Sequence, residues 1–270
     1  MDGLGPEERC YAPTTTAALQ LSSLCKTFGP KRAVAGLNLR VVPGEFYALL
    51  GPNGAGKTTT LRMVASLLKP DSGAISIFGI DALADPMAAK RMTAWLPDEP
   101  MLYDKLTPVE YLEFIAGVWS VPANLAHKRA AELLDILELG PYRHVRCEGF
   151  SRGMKQKVAL AGALVHEPRL IMLDEPLTGL DAAIARQVKD LLTARVRAGA
   201  TIILTTHILE VAERLADRIG IVRAGRLVAE GTMDELRVRC GGANSTLEDV
   251  FLTLTTGQSD APSYEQGNSA

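Results

Sequence analysis

The sequence predicts an α/β fold: a mostly parallel sheet flanked by helices, with a helical subdomain inserted into it. Short apolar runs alternate with helix-like segments through most of the chain, the pattern of strands joined by crossover helices. Leu170-Ile171-Met172-Leu173 and Thr201-Ile202-Ile203-Leu204-Thr205 are apolar without alternation, as parallel strands covered on both faces should be. Residues 100–149 instead show helical spacing, with Tyr111, Phe114, Ile115 and Val118, then Leu133, Leu134, Leu137 and Leu139.

Taken in order, Leu37, Leu39 and Val41 alternate with Asn38, Arg40 and Val42 before Pro43-Gly44 turns the chain. Phe46-Tyr47-Ala48-Leu49-Leu50 reads as a strand leading straight into a glycine-rich loop. Residues 58–68 read as a helix ended by Lys69 and Pro70, with a turn at Asp71-Ser72-Gly73. Ile75, Ile77 and Phe78 suggest a further strand, and the helical subdomain then occupies about 100–155. Residues 219–223 and 226–230, joined by Ala224-Gly225, predict a closing hairpin. The segments 1–17 and 257–270 are rich in Gly, Pro and small polar residues, so they are expected to stay unstructured.

With 47% hydrophobic and 22% charged residues the composition is that of a globular protein. A net charge of −2 gives no reason to expect nucleic acid as a partner. No apolar stretch approaches the length needed to cross a bilayer, and the acidic first residues do not read as a signal peptide. Cys10, Cys25, Cys147 and Cys240 are far apart, which argues against a disulfide framework or a zinc site.

Gly51-Pro52-Asn53-Gly54-Ala55-Gly56-Lys57-Thr58 satisfies GxxxxGK[ST] in full, between a predicted strand and a predicted helix. Glycines let the backbone curl so that successive N–H groups converge on phosphate oxygens at the positive end of the following helix. Lys57 adds a cation for the β- and γ-phosphates, and the Thr58 hydroxyl is a ligand for Mg²⁺. ATP or GTP binding on a P-loop NTPase core is the expectation.

Such a loop needs a carboxylate for the magnesium shell and a group to orient the attacking water. Asp174 and Glu175 stand at the C-terminal end of the apolar run 170–173, the sheet edge where ligands of parallel sheets bind. Asp174 is the candidate metal ligand and Glu175 the candidate base. His207 ends the run 201–206, where it could sense the γ-phosphate or be merely structural.

Upstream of the acidic strand lies Phe150-Ser151-Arg152-Gly153-Met154-Lys155-Gln156, and downstream Pro176-Leu177-Thr178-Gly179-Leu180-Asp181. In this order and spacing the chain resembles the ATP-binding subunits of ABC transporters, from about residue 18 to 231. The resemblance implies an ATPase domain over 18–240 that adds an antiparallel β subdomain to the parallel core and inserted helices, with a C-terminal helix over 241–256. Within it, 51–59 looks like the Walker A loop, so Thr59 joins the site, and 170–174 looks like Walker B followed by the catalytic base Glu175. His207 looks like the switch histidine, Gly179-Leu180-Asp181 like the D-loop, and Phe28 like the aromatic that stacks on adenine. Ser151, Arg152, Gly153 and Met154 resemble the signature that touches ATP held by an opposite subunit. The resemblance therefore implies Mg²⁺-dependent ATP hydrolysis and head-to-tail dimerisation with a second copy.

Two departures stand out. Arg152 replaces a small glycine of the signature, and Asp98 in Trp95-Leu96-Pro97-Asp98-Glu99 stands where a metal-ligating glutamine is usual. The segments 97–103, 106–107 and 111–114, with Leu247-Glu248-Asp249-Val250-Phe251-Leu252, are similar to bacterial exporter subunits that pair with a separate transmembrane permease. The chain is expected at the cytoplasmic face of the membrane, with the permease docking around 98–111. A soluble ABC ATPase of iron–sulfur assembly is the alternative; translation factors carry tandem domains and repair ATPases long coiled coils, which this sequence lacks.

Overall fold

A computed structural model describes residues 16–99, 101–239 and 246–256. The tails expected over 1–17 and 257–270, apart from residues 16 and 17, lie outside the described residues, as do residues 241–245 ahead of the C-terminal helix. An antiparallel sheet contains β1 (Leu19–Phe28), β2 (Lys31–Val41), β4 (Ser72–Ile77) and β5 (Ile80–Asp81), in the order β2-β1-β4-β5. The second sheet contains β3 (Phe46–Leu50), β6 (Thr93–Leu96), β7 (Leu170–Asp174), β8 (Thr201–Thr206), β9 (Arg218–Arg223) and β10 (Arg226–Gly231), in the order β10-β9-β3-β8-β7-β6. Every pairing in it is parallel except β9 with β10. Helices are α1 (Lys57–Val64), α2 (Pro86–Arg91), α3 (Pro108–Val118), α4 (Ala123–Ile136), α5 (Arg152–Leu164), α6 (Ala182–Arg197), α7 (Leu209–Leu215), α8 (Met233–Arg239) and α9 (Leu247–Thr256).

The unbroken apolar runs are explained by burial on both faces. Ile171 and Leu173 of β7 pack with helices α3, α4, α5 and α6, while Leu170 and Met172 pack toward the antiparallel sheet and α1. Successive side chains leave opposite faces of a strand, so neither parity can be polar. A third apolar cluster joins Leu50, Ile219 and Ile221 to Leu236 of α8 and Leu247 and Val250 of α9.

Helices α3, α4 and α5 lie between β6 and β7, which makes them the helical insertion. Thr107 opens α3 with a reciprocal cap: its hydroxyl accepts from Glu110 N at 3.3 Å, and the Glu110 carboxylate accepts from Thr107 N at 2.8 Å. The hairpin β9–β10 turns at Ala224-Gly225, both at positive φ (48° and 75°), the geometry that matches strand twist.

Two predicted boundaries are corrected. The turn expected at Asp71-Ser72-Gly73 gives way to strand β4, which already starts at Ser72 and pairs with β1 there. The helix expected over 58–68 is α1 and stops at Val64. Ser66 takes φ 54°, and its N–H and that of Leu67 return to Met63 O and Arg62 O at 3.1 and 2.9 Å. That closure usually uses glycine, so the sequence carried no stop signal before Lys69-Pro70.

A polar knot ties β3, β9 and β10 together. Tyr47, fully buried, donates to Glu230 at 3.0 Å, and Arg218 bridges Glu230 and Glu45 at 2.8 and 3.2 Å. A β-carbon on Gly220 would stand 2.1 Å from the Tyr47 hydroxyl oxygen. Gly220→Ala is expected to destabilise the fold by about 1–3 kcal/mol through overpacking. Thermal unfolding would show it, and an unchanged Tm would mean Tyr47 moves aside freely.

Candidate active site

Strand β3 delivers the chain into residues 51–56, and α1 begins at Lys57. The curl is tight enough to exclude side chains at its glycines. A β-carbon on Gly56, at φ 107°, would lie 2.4 Å from Ala33 O, and one on Gly51 would lie 2.4 Å from Val222 O. Lys57 is only 8% exposed and its ammonium donates to Gly51 O at 2.6 Å. Burial lowers the affinity of this amine for its proton, and Glu175 and Asp174 oppose that. Thr60 donates back to Gly56 O at 2.9 Å, leaving the Thr58 hydroxyl as the exposed one of the first turn.

Strand β7 ends on Asp174, 3% exposed, whose Oδ1 accepts from the Thr205 hydroxyl of the neighbouring β8. Glu175 follows at φ 50°, a left-handed conformation that costs a non-glycine residue about 1–3 kcal/mol and tends to cluster at active sites. Its N–H donates to Thr205 O at 3.0 Å. Two donors converge on Glu175 Oε2, Thr178 Oγ1 at 3.2 Å and the His207 backbone N–H at 3.3 Å, and the His207 ring nitrogen Nδ1 stands 2.9 Å from the same oxygen. The His207 side chain is itself 58% exposed.

A cavity of about 310 Å³ gathers Phe28, residues 53–59, Asp98, Asp174 and Glu175, and also Lys31 and Ala33. A second one shares Asn53, Asp98 and Glu175 with it and adds Gly51, Pro52, His207, Thr178 and Phe251. Burial, then Asp174 and Glu175, raise the Asp98 carboxyl above the usual range, while Arg152 acts in the opposite direction. Lys31, Thr178, Thr205 and Phe251 were not singled out from the sequence. Lys31 and Thr205 are brought in by strand register and Phe251 by a later helix, whereas Thr178 reaches Glu175 through the local turn that follows β7, its N–H donating to Glu175 O at 3.2 Å.

The remaining candidates lie elsewhere. Ser151 caps α5, accepting from Met154 N at 3.3 Å, and Asp181 caps α6, accepting from Ile184 N at 2.9 Å. Gly153 is pressed against Ile184, where a β-carbon would meet the side chain at 2.7 Å. Arg152 lies over Gly179, its Nη1 at 3.1 Å from that residue's β-carbon position. Among the described residues none of Ser151, Arg152, Gly153, Met154 and Asp181 lines either cavity.

The arrangement can cradle a polyphosphate, hold a hard cation with oxygen donors and present a carboxylate to water. The family model described as ABC transporter matches residues 34–178. The chain is 41% identical over 226 residues to the daunorubicin/doxorubicin resistance ATP-binding protein DrrA of Streptomyces peucetius, covering 84% of this chain and 68% of that one. Among solved structures it is similar to the ATP-binding subunit of an ABC transporter, with a TM-score of 0.83 and 34% identity over 88% of this chain and 99% of that one. It is also similar to a dimeric post-hydrolysis ATP-binding cassette bound to ADP and phosphate, with a TM-score of 0.73 and 27% identity over 80% and 98% of the two chains.

Proposed function

We propose that the chain, which belongs to the ABC transporter family as an ATP-binding, ATP-hydrolysing subunit, is of the exporter type and powers export through a separate transmembrane permease, working as an ATP-driven dimer at the cytoplasmic face of the membrane. The observation that carries the reading is the single cavity in which Phe28, Lys57, Asp98, Asp174 and Glu175 meet above the glycine loop.

In this reading Phe28 stacks on the adenine, the loop amides and Lys57 hold the phosphates, and Lys57 exchanges its loop carbonyl for phosphate oxygen. Glu175 takes a proton from water as the water oxygen bonds to the γ-phosphorus and the bond to the β-phosphate oxygen breaks, releasing ADP. With Oε2 held by Thr178 and by the His207 backbone N–H, Oε1 is the oxygen left to face that water. His207, hydrogen-bonded to Glu175, is placed to orient it.

Thr58, Asp98 and Asp174 form an all-oxygen donor set, which suits Mg²⁺. Bound there, the ion would neutralise phosphate charge. Ser151 keeps its hydroxyl proton, since its oxygen is engaged only as an acceptor. Its exposure, away from its own cavity, supports a role toward ATP held by a second copy.

Support for a permease comes from another face. A groove of about 530 Å³ between β6, α3 and α5 is lined by Trp95, Met101, Tyr111, Ile115, Trp119 and His166 among others. Met101 is 87% exposed and Tyr103 beside it is also exposed, an apolar edge of the kind that marks interaction sites. The occupant we assign is a cytoplasmic helix of the permease, laid across this groove. No helix among the described residues is long and apolar enough to cross a membrane. Purification from native membranes tests the reading. The chain is expected to carry a multi-span membrane protein with it and to lose that protein in Met101→Glu. A stable soluble complex without any membrane protein would sink it.

A further inference from the structure

We propose that Lys31 is a second phosphate-binding cation of the nucleotide site, donating to the polyphosphate from the β1–β2 turn opposite the loop. The proposal rests on the reading of the cavity as an ATP site and adds a residue that no part of the loop motif contains. Four observations support it.

The first is register. Phe28 and Lys31 are direct partners across the two-residue turn Gly29-Pro30. Opposite residues of an antiparallel pair point to the same face with their β-carbons about 4.5–5.5 Å apart. Whatever brings Phe28 over a base therefore brings Lys31 to the same side of the cavity. Both residues line it.

The second is distance. Lys31 Nζ stands 3.4 Å from the β-carbon position of Gly54, so the ammonium already hovers over the phosphate loop. A lysine side chain pivots freely enough from there to meet an oxygen held by the loop amides.

The third is rigidity of the platform. Gly225 N–H donates to Ala55 O at 2.9 Å, and Ala35 N–H donates to Gly225 O at 2.8 Å. These two bonds stitch β2 to the phosphate loop through the β9–β10 turn. Ala33, between Lys31 and Ala35, is packed so closely that its carbonyl excludes a side chain from Gly56. The base of Lys31 is thus fixed relative to the loop.

The fourth is charge. The cavity carries three carboxylates, Asp98, Asp174 and Glu175, and two lysines, Lys31 and Lys57. Lys57 sits at the carboxylate end, with Asp174 and Glu175 felt directly. Among the described residues Lys31 stands in no ion pair, whereas Lys26, Lys105, Lys128 and Lys155 each hold a carboxylate. Lys26 approaches the Phe28 ring at 5.7 Å, yet it is tied to Asp71 at 2.8 Å. Lys31 is therefore the cation of this turn that is free for a polyanion.

The test compares the full chain with Lys31→Gln and Lys31→Arg, titrating ATP and ADP by calorimetry and adenosine by competition. Lys31→Gln is expected to raise the Kd for ATP and ADP about five- to tenfold while leaving that for adenosine unchanged. Lys31→Arg is expected to restore ATP binding to within about threefold of the parent. Unchanged ATP affinity in Lys31→Gln overturns the proposal. So does an equal loss for adenosine, which would place the effect on the base or on the turn itself. Failure of the parent chain to bind ATP would instead refute the nucleotide reading, and the two failures are distinguished by that control.

Discussion

Glu175→Gln is expected to bind ATP as tightly as the parent, to lose turnover by about a hundredfold or more, and to accumulate as a dimer in the presence of ATP. The amide keeps the size of the carboxylate but cannot take a proton from water, and positioned general bases typically contribute 10²–10⁴-fold. ATP binding should persist because Lys57 donates to Gly51 O rather than to Glu175, and because the loop amides do not involve it. The Oε2 position, now held by Thr178 and His207, can be filled by the amide oxygen, so the site should keep its shape. Steady-state phosphate release and sedimentation with ATP are the measurements. Hydrolysis at the parent rate would show that Glu175 is not the base. Loss of turnover without dimer accumulation would separate the base assignment from the proposed ATP-driven association.

Lys57→Ala is expected to weaken ATP binding by about thirty- to a hundredfold, measured by calorimetry. A charge-assisted hydrogen bond in a partly buried site is worth about 1.5–3 kcal/mol, and this ammonium is almost out of water already. Its replacement also leaves Gly51 O without its donor and removes a cation that acts on both Asp174 and Glu175. The loop should therefore loosen as well as lose affinity. Equal ATP affinity in the variant would remove Lys57, and with it the phosphate role of the loop, from the site. This effect should exceed that of Lys31→Gln, because Lys31 works from an exposed turn where solvent screens it.

The sequence made some residues of the candidate site legible and hid others for a physical reason. Residues 51–58 are read directly because the cradle is made by consecutive backbone N–H groups, so its requirements are written in consecutive residue types. Asp174 and Glu175 are read almost as directly, since an apolar strand must end somewhere and parallel sheets bind ligands at that end. Thr205 is different. It lies 31 residues from Asp174 and reaches it only because β7 and β8 are paired with Asp174 opposite Thr205. Phe251 comes from α9, which packs against α7 and β9 near the far end of the chain, and its place beside His207 depends on that packing alone. The early end of α1 at Ser66 was hidden too, because a serine there adopts the conformation that sequence reading assigns to glycine.

By itself the sequence determined the class of fold, the glycine-rich loop with its lysine, and the strand-end carboxylates, all features set by neighbouring residues through backbone geometry and two-sided burial. Only the tertiary structure decided that Lys31 faces the same cavity as Lys57, that His207 reaches Glu175, and that Ser151 and Gly153 stand apart from their own subunit's loop. Those relations depend on strand register and on how helices pack across the sheet, and such distances are set by the whole core rather than by any run of adjacent side chains.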